Sequence, residues 1–189
     1  QFYQCPLIGG DTTKGPSLVI SLQVHGITKA GEGLKRSGAH VGDKVYVSSN
    51  LGDGAGALPL VLKEPRLNTG LAEEFYKPIA QIEFSQKIKD HATSCLDVSD
   101  GLIQDLNHIC TASNVGMNIN PDLIPLSQLL VETYGSEQAL KYALTGGDDY
   151  QLAYTAKHCD HGICIGEVIA GGRVNVLGVD IIEGGFQHF

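Results

Sequence analysis

No run of lysine or arginine occurs in this sequence: 13 basic residues are scattered among 21 acidic ones, for a formal net charge of −8. A nucleic-acid surface needs clustered Lys and Arg against the phosphate backbone, so no nucleic-acid partner is expected. Nor is there an apolar run near the roughly 18 residues that cross a bilayer, so no membrane partner is expected. The five cysteines (Cys5, Cys95, Cys110, Cys159, Cys164) are an odd number without framework spacing, which argues for a reducing cytoplasm over a disulfide scaffold. Internal repeats and low-complexity tracts are missing. So are three catalytic patterns: the glycine-rich P-loop closing on Gly-Lys-Ser/Thr, the protein-kinase set and the serine nucleophile elbow. The first residues, Gln1-Phe2-Tyr3-Gln4, are neither an initiator methionine nor a signal peptide, and read as the middle of a longer chain.

What remains is a globular composition. Hydrophobic residues make up 42% and charged residues 18% of 189 positions, enough for one core plus a piece of another. The 24 glycines have no fixed period, which points to tight turns and ligand loops lined by backbone.

Along the chain, Ser17 to Thr28 alternates, with Leu18, Ile20, Leu22 and Val24 on one face, and predicts a strand. Short strands are predicted at Asp43–Ser48, Thr93–Val98, Val115–Asn120, Tyr150–Thr155, Ile163–Ile169, Arg173–Leu177 and Val179–Ile182. Helices are predicted at Ala57–Lys63, Ile79–His91, Gln128–Thr133 and Ser136–Leu144. The clearest helix carries Leu102, Ile103, Leu106, Ile109 and Cys110 as one apolar stripe. The mixture predicts an α+β domain, helices packed on a mixed sheet.

Four short segments have chemical content. Asp97-Val98-Ser99-Asp100-Gly101 falls where a strand ends and a helix begins, a place whose free N–H groups favour anions. Two carboxylates there repel a bare phosphate but suit a magnesium ion bridging to one; the plainer reading is an Asp or Ser helix cap. Gly9-Gly10-Asp11 offers close backbone approach and a possible metal ligand, or simply a turn. Gly146-Gly147-Asp148-Asp149 sets paired acids after a Gly-Gly turn, suited to a cation or to plain solvation. Arg36, before Ser37-Gly38, has the fork geometry for a phosphate, although most such arginines are only solvated. His158-Cys159-Asp160-His161 and Cys164 gather soft ligands without a distant second pair, so an ordinary loop is expected rather than zinc.

Taken in order, Gly-Gly-Asp-Thr-Thr-Lys-Gly-Pro (9–16), Arg-Ser-Gly-Ala (36–39), Val-Gly-Asp (41–43), Leu-Gly-Asp-Gly-Ala (51–55), Leu-Asp-Val-Ser-Asp-Gly-Leu (96–102) and Leu-Thr-Gly-Gly-Asp-Asp-Tyr (144–150) resemble thiamine-monophosphate kinase. The ending Gly-Phe-Gln-His-Phe is similar to that family's aromatic tail. The family belongs to a superfamily with aminoimidazole-ribonucleotide synthetase, selenide–water dikinase and a hydrogenase maturation protein. Its members join an N-terminal ATP-binding α/β domain, which dimerises through its sheet, to a C-terminal α+β domain.

The resemblance implies that residues 1–28 are the tail of the ATP-binding domain and residues 29–189 the C-terminal domain. It implies Asp11, Asp97 and Asp100 as magnesium ligands, Gly10, Asp11, Arg36 and Ser99 as ATP contacts, and Asp148 with Phe186 at the thiamine end of the substrate. It further implies ATP and Mg²⁺ as co-substrate and cofactor, thiamine monophosphate as acceptor, a cytoplasmic homodimer, and no protein nucleophile. Position 148 is Asp where the family usually has Glu, position 151 is Gln where an acid is usual, and residues 155–164 are shorter than the family's segment. Two alternatives stay open: another ATP-using enzyme of the superfamily, resembling aminoimidazole-ribonucleotide synthetase, or a non-catalytic C-terminal module.

Overall fold

A computed structural model describes residues 3, 5–66 and 70–179. It contains a six-stranded sheet in the order β2-β4-β1-β5-β3-β6. The strands are β1 (Lys44–Val47), β2 (Ser94–Val98), β3 (Gly116–Ile119), β4 (Gln151–Ala156), β5 (Ile163–Ile169) and β6 (Val174–Val176). All pairings are antiparallel except β3 with β6, so the sheet is mixed. Helices α1 (Asp53–Lys63), α2 (Gly70–Tyr76), α3 (Ile82–Ile88), α4 (Leu102–Ser113), α5 (Gln128–Tyr134) and α6 (Ser136–Thr145) surround it. This is the α+β architecture expected from the sequence. No helix among the described residues is long and apolar enough to cross a membrane.

Alternation along the strands assigns two faces. Val45 and Val47 of β1, Leu96 and Val98 of β2 and Ala153 of β4 join Leu102, Leu106, Ile109 and Cys110 of α4 in the main core. Tyr46, Cys95 and Tyr154, one residue out of phase, face the other way and pack with Ile88 of α3. There Tyr46 stacks on Tyr154, with ring centroids 5.1 Å apart. The parity places Asp97 on the Cys95 side of β2, at its exposed end. A third cluster, Ala57, Leu71, Leu130 and Ala139, binds α1, α2, α5 and α6 together.

Two expectations need correction. Ser17–Thr28 forms no strand: Leu18, Leu22 and Ile27 are almost fully exposed, and among the described residues no neighbouring strand supplies the ladder that an extended segment needs. The helix expected over Ile79–His91 shortens to Ile82–Ile88, and helix α2 was not anticipated. Val179 is irregular, and residues 180–182 of the last expected strand lie outside the described residues.

Candidate functional site

The loop between β2 and α4 is built by a residue inside the helix. Asp105, in the first turn of α4, is only 3% exposed. Its Oδ2 accepts hydrogen bonds from the backbone N–H of Ser99 (3.0 Å), Asp100 (3.0 Å) and Gly101 (3.2 Å). Two details of this loop differ from expectation. The N–H groups are not open to an anion, because a protein carboxylate already fills their nest. Nor does Asp100 or Ser99 cap the helix; the N-cap is Gly101, which has no side chain to do so. Gly101 has φ 120°, and a Cβ there would stand 2.9 Å from the Thr145 carbonyl, so only glycine fits. Burial raises the Asp105 carboxyl, the Asp100 and Ser99 amides pull it back, and the charges of Asp100 and Asp97 push it up again.

The turn 146–150 packs against that loop. Asp148 N–H donates to the Ser99 carbonyl (3.1 Å) and Tyr150 N–H to the Val98 carbonyl (2.8 Å). A Cβ on Gly147 would collide with the Ser99 carbonyl, which explains the glycine. On the other side, Asp149 accepts from Gly52 N–H at 2.7 Å and Gly54 N–H at 3.1 Å, closing the N-terminus of α1. Burial, then the neighbouring charges of Asp53 and Asp148, lift the Asp149 carboxyl to about 7 against the pull of those two amides. Asp53 is raised by burial as well, and accepts from Ser127 Oγ at 2.6 Å.

Two clefts open on this turn. One, of about 770 Å³, is walled by Ala55, Pro59, Ser99, Asp100, Asp148 and Tyr150 among others. The second, of about 420 Å³, is walled by Ser48, Asp53, Glu74, Asp148, Asp149 and Gln151 among others. Asp148 belongs to both. Neither wall includes a Lys or Arg among the described residues. The Tyr150 hydroxyl is raised first by burial, then by its bond to Asp148 and by the charges of Asp148, Asp97 and Asp100. That shared influence puts three carboxylates within electrostatic reach of one phenol. Such a concentration of hard oxygen donors without a basic neighbour on the walls fits a divalent cation that bridges to phosphate oxygens. Asp100, Asp105 and His108 each offer an atom within 4.8 Å of the others, but the Oδ2 of Asp105 is committed to the amides.

The remaining expected residues lie elsewhere. Among the described residues Gly10 has nothing within 4 Å of a hypothetical Cβ, and Asp11 is exposed, its Oδ1 accepting from the adjacent Thr12 N–H at 2.7 Å. Asp11 and Asp97 are not in the Asp100–Asp105–His108 group. The Arg36 carbonyl accepts from Ser113 Oγ at the C-terminal end of α4, the end away from Asp100. Phe186 lies outside the described residues. The structure thus brings Ser99, Asp100 and Asp148 to one cleft with Asp97 nearby, and does not bring Gly10, Asp11 or Arg36 to it. His158 and Asp160 pair at 3.1 Å on the surface, while Cys159 is buried in the second core.

Sequence reasoning missed Asp105, and read Asp149 as one of a pair of acids suited to a cation or to solvation rather than as the acceptor that closes the start of α1. Asp105 carried a legible signal, since it interrupts the buried face of α4 between Leu102 and Ile109. A carboxylate on an apolar stripe needs partners, and loop amides at the helix start are the nearest donors.

The mixed sheet, with two carboxylate-walled clefts at the starts of α1 and α4, defines an α+β domain with two candidate ligand clefts. The chain belongs to the family described as AIR synthase related protein, C-terminal domain, which it matches over residues 40–178. It is 38% identical over 175 residues to a thiamine-monophosphate kinase of Salmonella typhimurium, spanning 88% of this chain and 54% of that one. It is 35% identical over 201 residues to a thiamine-monophosphate kinase of Aquifex aeolicus, spanning 100% of this chain and 65% of the relative. A solved structure described as AaThiL complexed with AMPPCP and TMP superposes with a TM-score of 0.75 at 35% identity, over 82% of this chain and 54% of that one. The chain spans about half the length of most of the curated relatives it matches.

Proposed function

We propose that this chain supplies the C-terminal part of an ATP- and Mg²⁺-dependent thiamine-monophosphate kinase, which phosphorylates thiamine monophosphate to thiamine diphosphate. The observation that carries the reading is the placement of Asp148 on the wall of two adjoining clefts, one of which also holds Ser99 and Asp100. A nucleotide and a second phosphorylated ligand need such neighbouring spaces. The relatives named for this activity, and the complex with AMPPCP and TMP, support the same assignment.

In this reading Asp97 and Asp100, joined by Asp11 from the N-terminal segment, hold magnesium, whose charge would offset that of the polyphosphate during transfer. Ser99 presents its hydroxyl to ATP, and Gly10 and Arg36 complete the nucleotide contacts. Asp148 faces the fixed positive charge of the thiazolium ring, with Phe186 as the aromatic face against it. An oxygen of the acceptor phosphate attacks the γ-phosphorus in line; the new P–O bond forms as the bond to ADP breaks, and ADP leaves with that electron pair. The protein supplies position and screening, not a nucleophile. Residues 1–28 belong to the ATP-binding domain, residues 29–189 form the C-terminal domain, and the complete enzyme is a cytoplasmic homodimer.

One observation favours a second reading, that the chain by itself is a non-catalytic module: the segment carrying Gly10 and Asp11 is fully exposed and undocked. A coupled assay for ATP-dependent thiamine diphosphate formation, run on this chain and on the longer protein containing it, separates the two. Replacing Asp97 or Asp100 by Asn should reduce turnover at least about a hundredfold at saturating magnesium. Near-normal turnover of either variant refutes the assignment.

A further inference from the structure

Three successive N–H groups converging at a helix start are a ready-made phosphate cradle. Here Ser99, Asp100 and Gly101 form that cradle, and Asp105 Oδ2 fills it at 3.0, 3.0 and 3.2 Å. The carboxylate is buried and reaches the loop from the helix that follows it. Its neighbours in the first two turns of α4, Leu102, Ile103, Leu106 and Ile109, are core residues that fix the helix against the sheet. The Asp105 side chain therefore ties the loop to a rigid element. The same loop is clamped from above by the Asp148 N–H on the Ser99 carbonyl.

We propose that Asp105 is a positioning residue for the candidate site: it occupies the amide cradle of residues 99–101 as an internal anion, fixing the loop that presents Ser99 and Asp100, next to Asp97 at the end of β2, before any ligand arrives. A phosphate group then has no amide cradle to enter at this loop, and can be held here only through a cation on the carboxylates. The identity of that phosphate ligand rests on the kinase reading; the role of Asp105 in the loop does not.

The test uses this chain with Asp105→Ala and Asp105→Asn. An asparagine carbonyl oxygen can still accept the three N–H bonds, whereas alanine cannot. Amide spectra and hydrogen exchange of Ser99, Asp100 and Gly101 report the loop, Mn²⁺ calorimetry reports the carboxylates, and inorganic phosphate without metal probes the cradle. We expect the wild type to show no phosphate-dependent shift at these three amides. Asp105→Ala should exchange them faster, expose them to phosphate, and lose about tenfold or more in Mn²⁺ affinity, while Asp105→Asn stays within about threefold of wild type.

The proposal is overturned if phosphate alone shifts the wild-type amides, or if Asp105→Ala leaves their exchange and the Mn²⁺ affinity unchanged. Should the alanine variant fail to fold, the wild-type phosphate titration and the asparagine variant still decide. Retained loop spectra in the asparagine variant support the role; collapse of amide protection with an otherwise native spectrum refutes it. If the longer protein binds Mn²⁺ but not thiamine monophosphate, the kinase reading fails and the Asp105 result stands separately.

Discussion

Tyr150 donates its hydroxyl to Asp148 Oδ1 at 3.0 Å, and both residues carry left-handed backbone, with φ of 51° and 65°. Such conformations cost on the order of 1 kcal/mol or more for residues with side chains, so neighbouring contacts must hold them. They are held by the N–H bonds to Ser99 and Val98 on one side, and by Asp149 on the N-terminus of α1 on the other. The result is a rigid shelf that sets one carboxylate, Asp148, at the meeting of two clefts.

Removing the phenol oxygen tests whether that carboxylate is oriented for a cationic ring. Tyr150→Phe keeps the ring and the backbone but leaves Asp148 without this donor. On the proposed kinase reading, the expected outcome is a rise of about fivefold in KM for thiamine monophosphate with kcat little changed, equivalent to about 1 kcal/mol of ground-state binding. Steady-state kinetics of the longer protein, or calorimetry of thiamine monophosphate on this chain, checks it. An unchanged affinity separates Tyr150 from substrate positioning.

Asp149 predicts a pH dependence of stability. Its carboxyl stands at about 7 in the folded chain against an ordinary 3.8, so the fold binds the proton more tightly than the unfolded chain does. The associated stability is fully present below about pH 4 and is lost as pH rises through about 7, up to about 4 kcal/mol in all. Asp149→Asn cannot titrate; its carbonyl keeps one amide bond, and its NH₂ faces the other donor, at a cost of about 1 kcal/mol. Urea unfolding from pH 5 to 8 should show the wild type losing stability relative to the variant as pH increases. A parallel pair of curves rules the mechanism out.

Gly54 sits where two effects oppose. Alanine gains up to about 1 kcal/mol over glycine within a helix. A Cβ at Gly54, however, would stand 2.5 Å from the Asp148 carbonyl oxygen and 2.7 Å from its carbon, backbone atoms of the strained turn. Displacing them costs about 1–3 kcal/mol, so the collision wins. Gly54→Ala should lower the melting temperature by several degrees, whereas Gly172→Ala, with nothing within 4 Å, should leave it nearly unchanged. Thermal unfolding of both variants decides.

The parts of the molecule that sequence made legible are those governed by local pattern. The stripe Leu102, Ile103, Leu106, Ile109 and Cys110 became the buried face of α4, and Val45 and Val47 pointed into the core as alternation requires. The juxtaposition of 97–101 with 146–150 was legible only through family resemblance, because β2 pairs with β4 across more than fifty residues and no local signal encodes that register. What Asp105 and Asp149 bond to was hidden for a related reason. Each is a carboxylate whose partners are backbone amides, and amides leave no mark in a sequence. Helix α2 buries only the adjacent pair Leu71 and Ala72, which shows no 3.6-residue period.

The alternating segment Ser17–Thr28 shows the same limit from the other direction and gives the last prediction. Its pattern states which side chains share a face; it does not state that a partner strand is present. Leu18 is 89% and Ile27 fully exposed, and residues 5–33 contribute no member to any core cluster, whereas Leu34 packs against Tyr46 and Tyr154. Stability follows apolar area removed from water, at about 25 cal/mol per Å², so a segment that buries almost none adds almost none. Deleting residues 1–33 should therefore leave the melting temperature within about 2 °C. The Tyr3 hydroxyl, which accepts from Ala80 N–H at 2.9 Å, does so on the exposed surface, where a hydrogen bond to protein replaces one to water at little net gain. The same deletion should improve solubility, because it removes Leu18, Ile20, Leu22 and Val24, exposed apolar side chains able to recruit another chain. A fall of ten degrees in the deletion variant, measured by calorimetry at several protein concentrations, would show that this segment is docked in solution and that the domain depends on it.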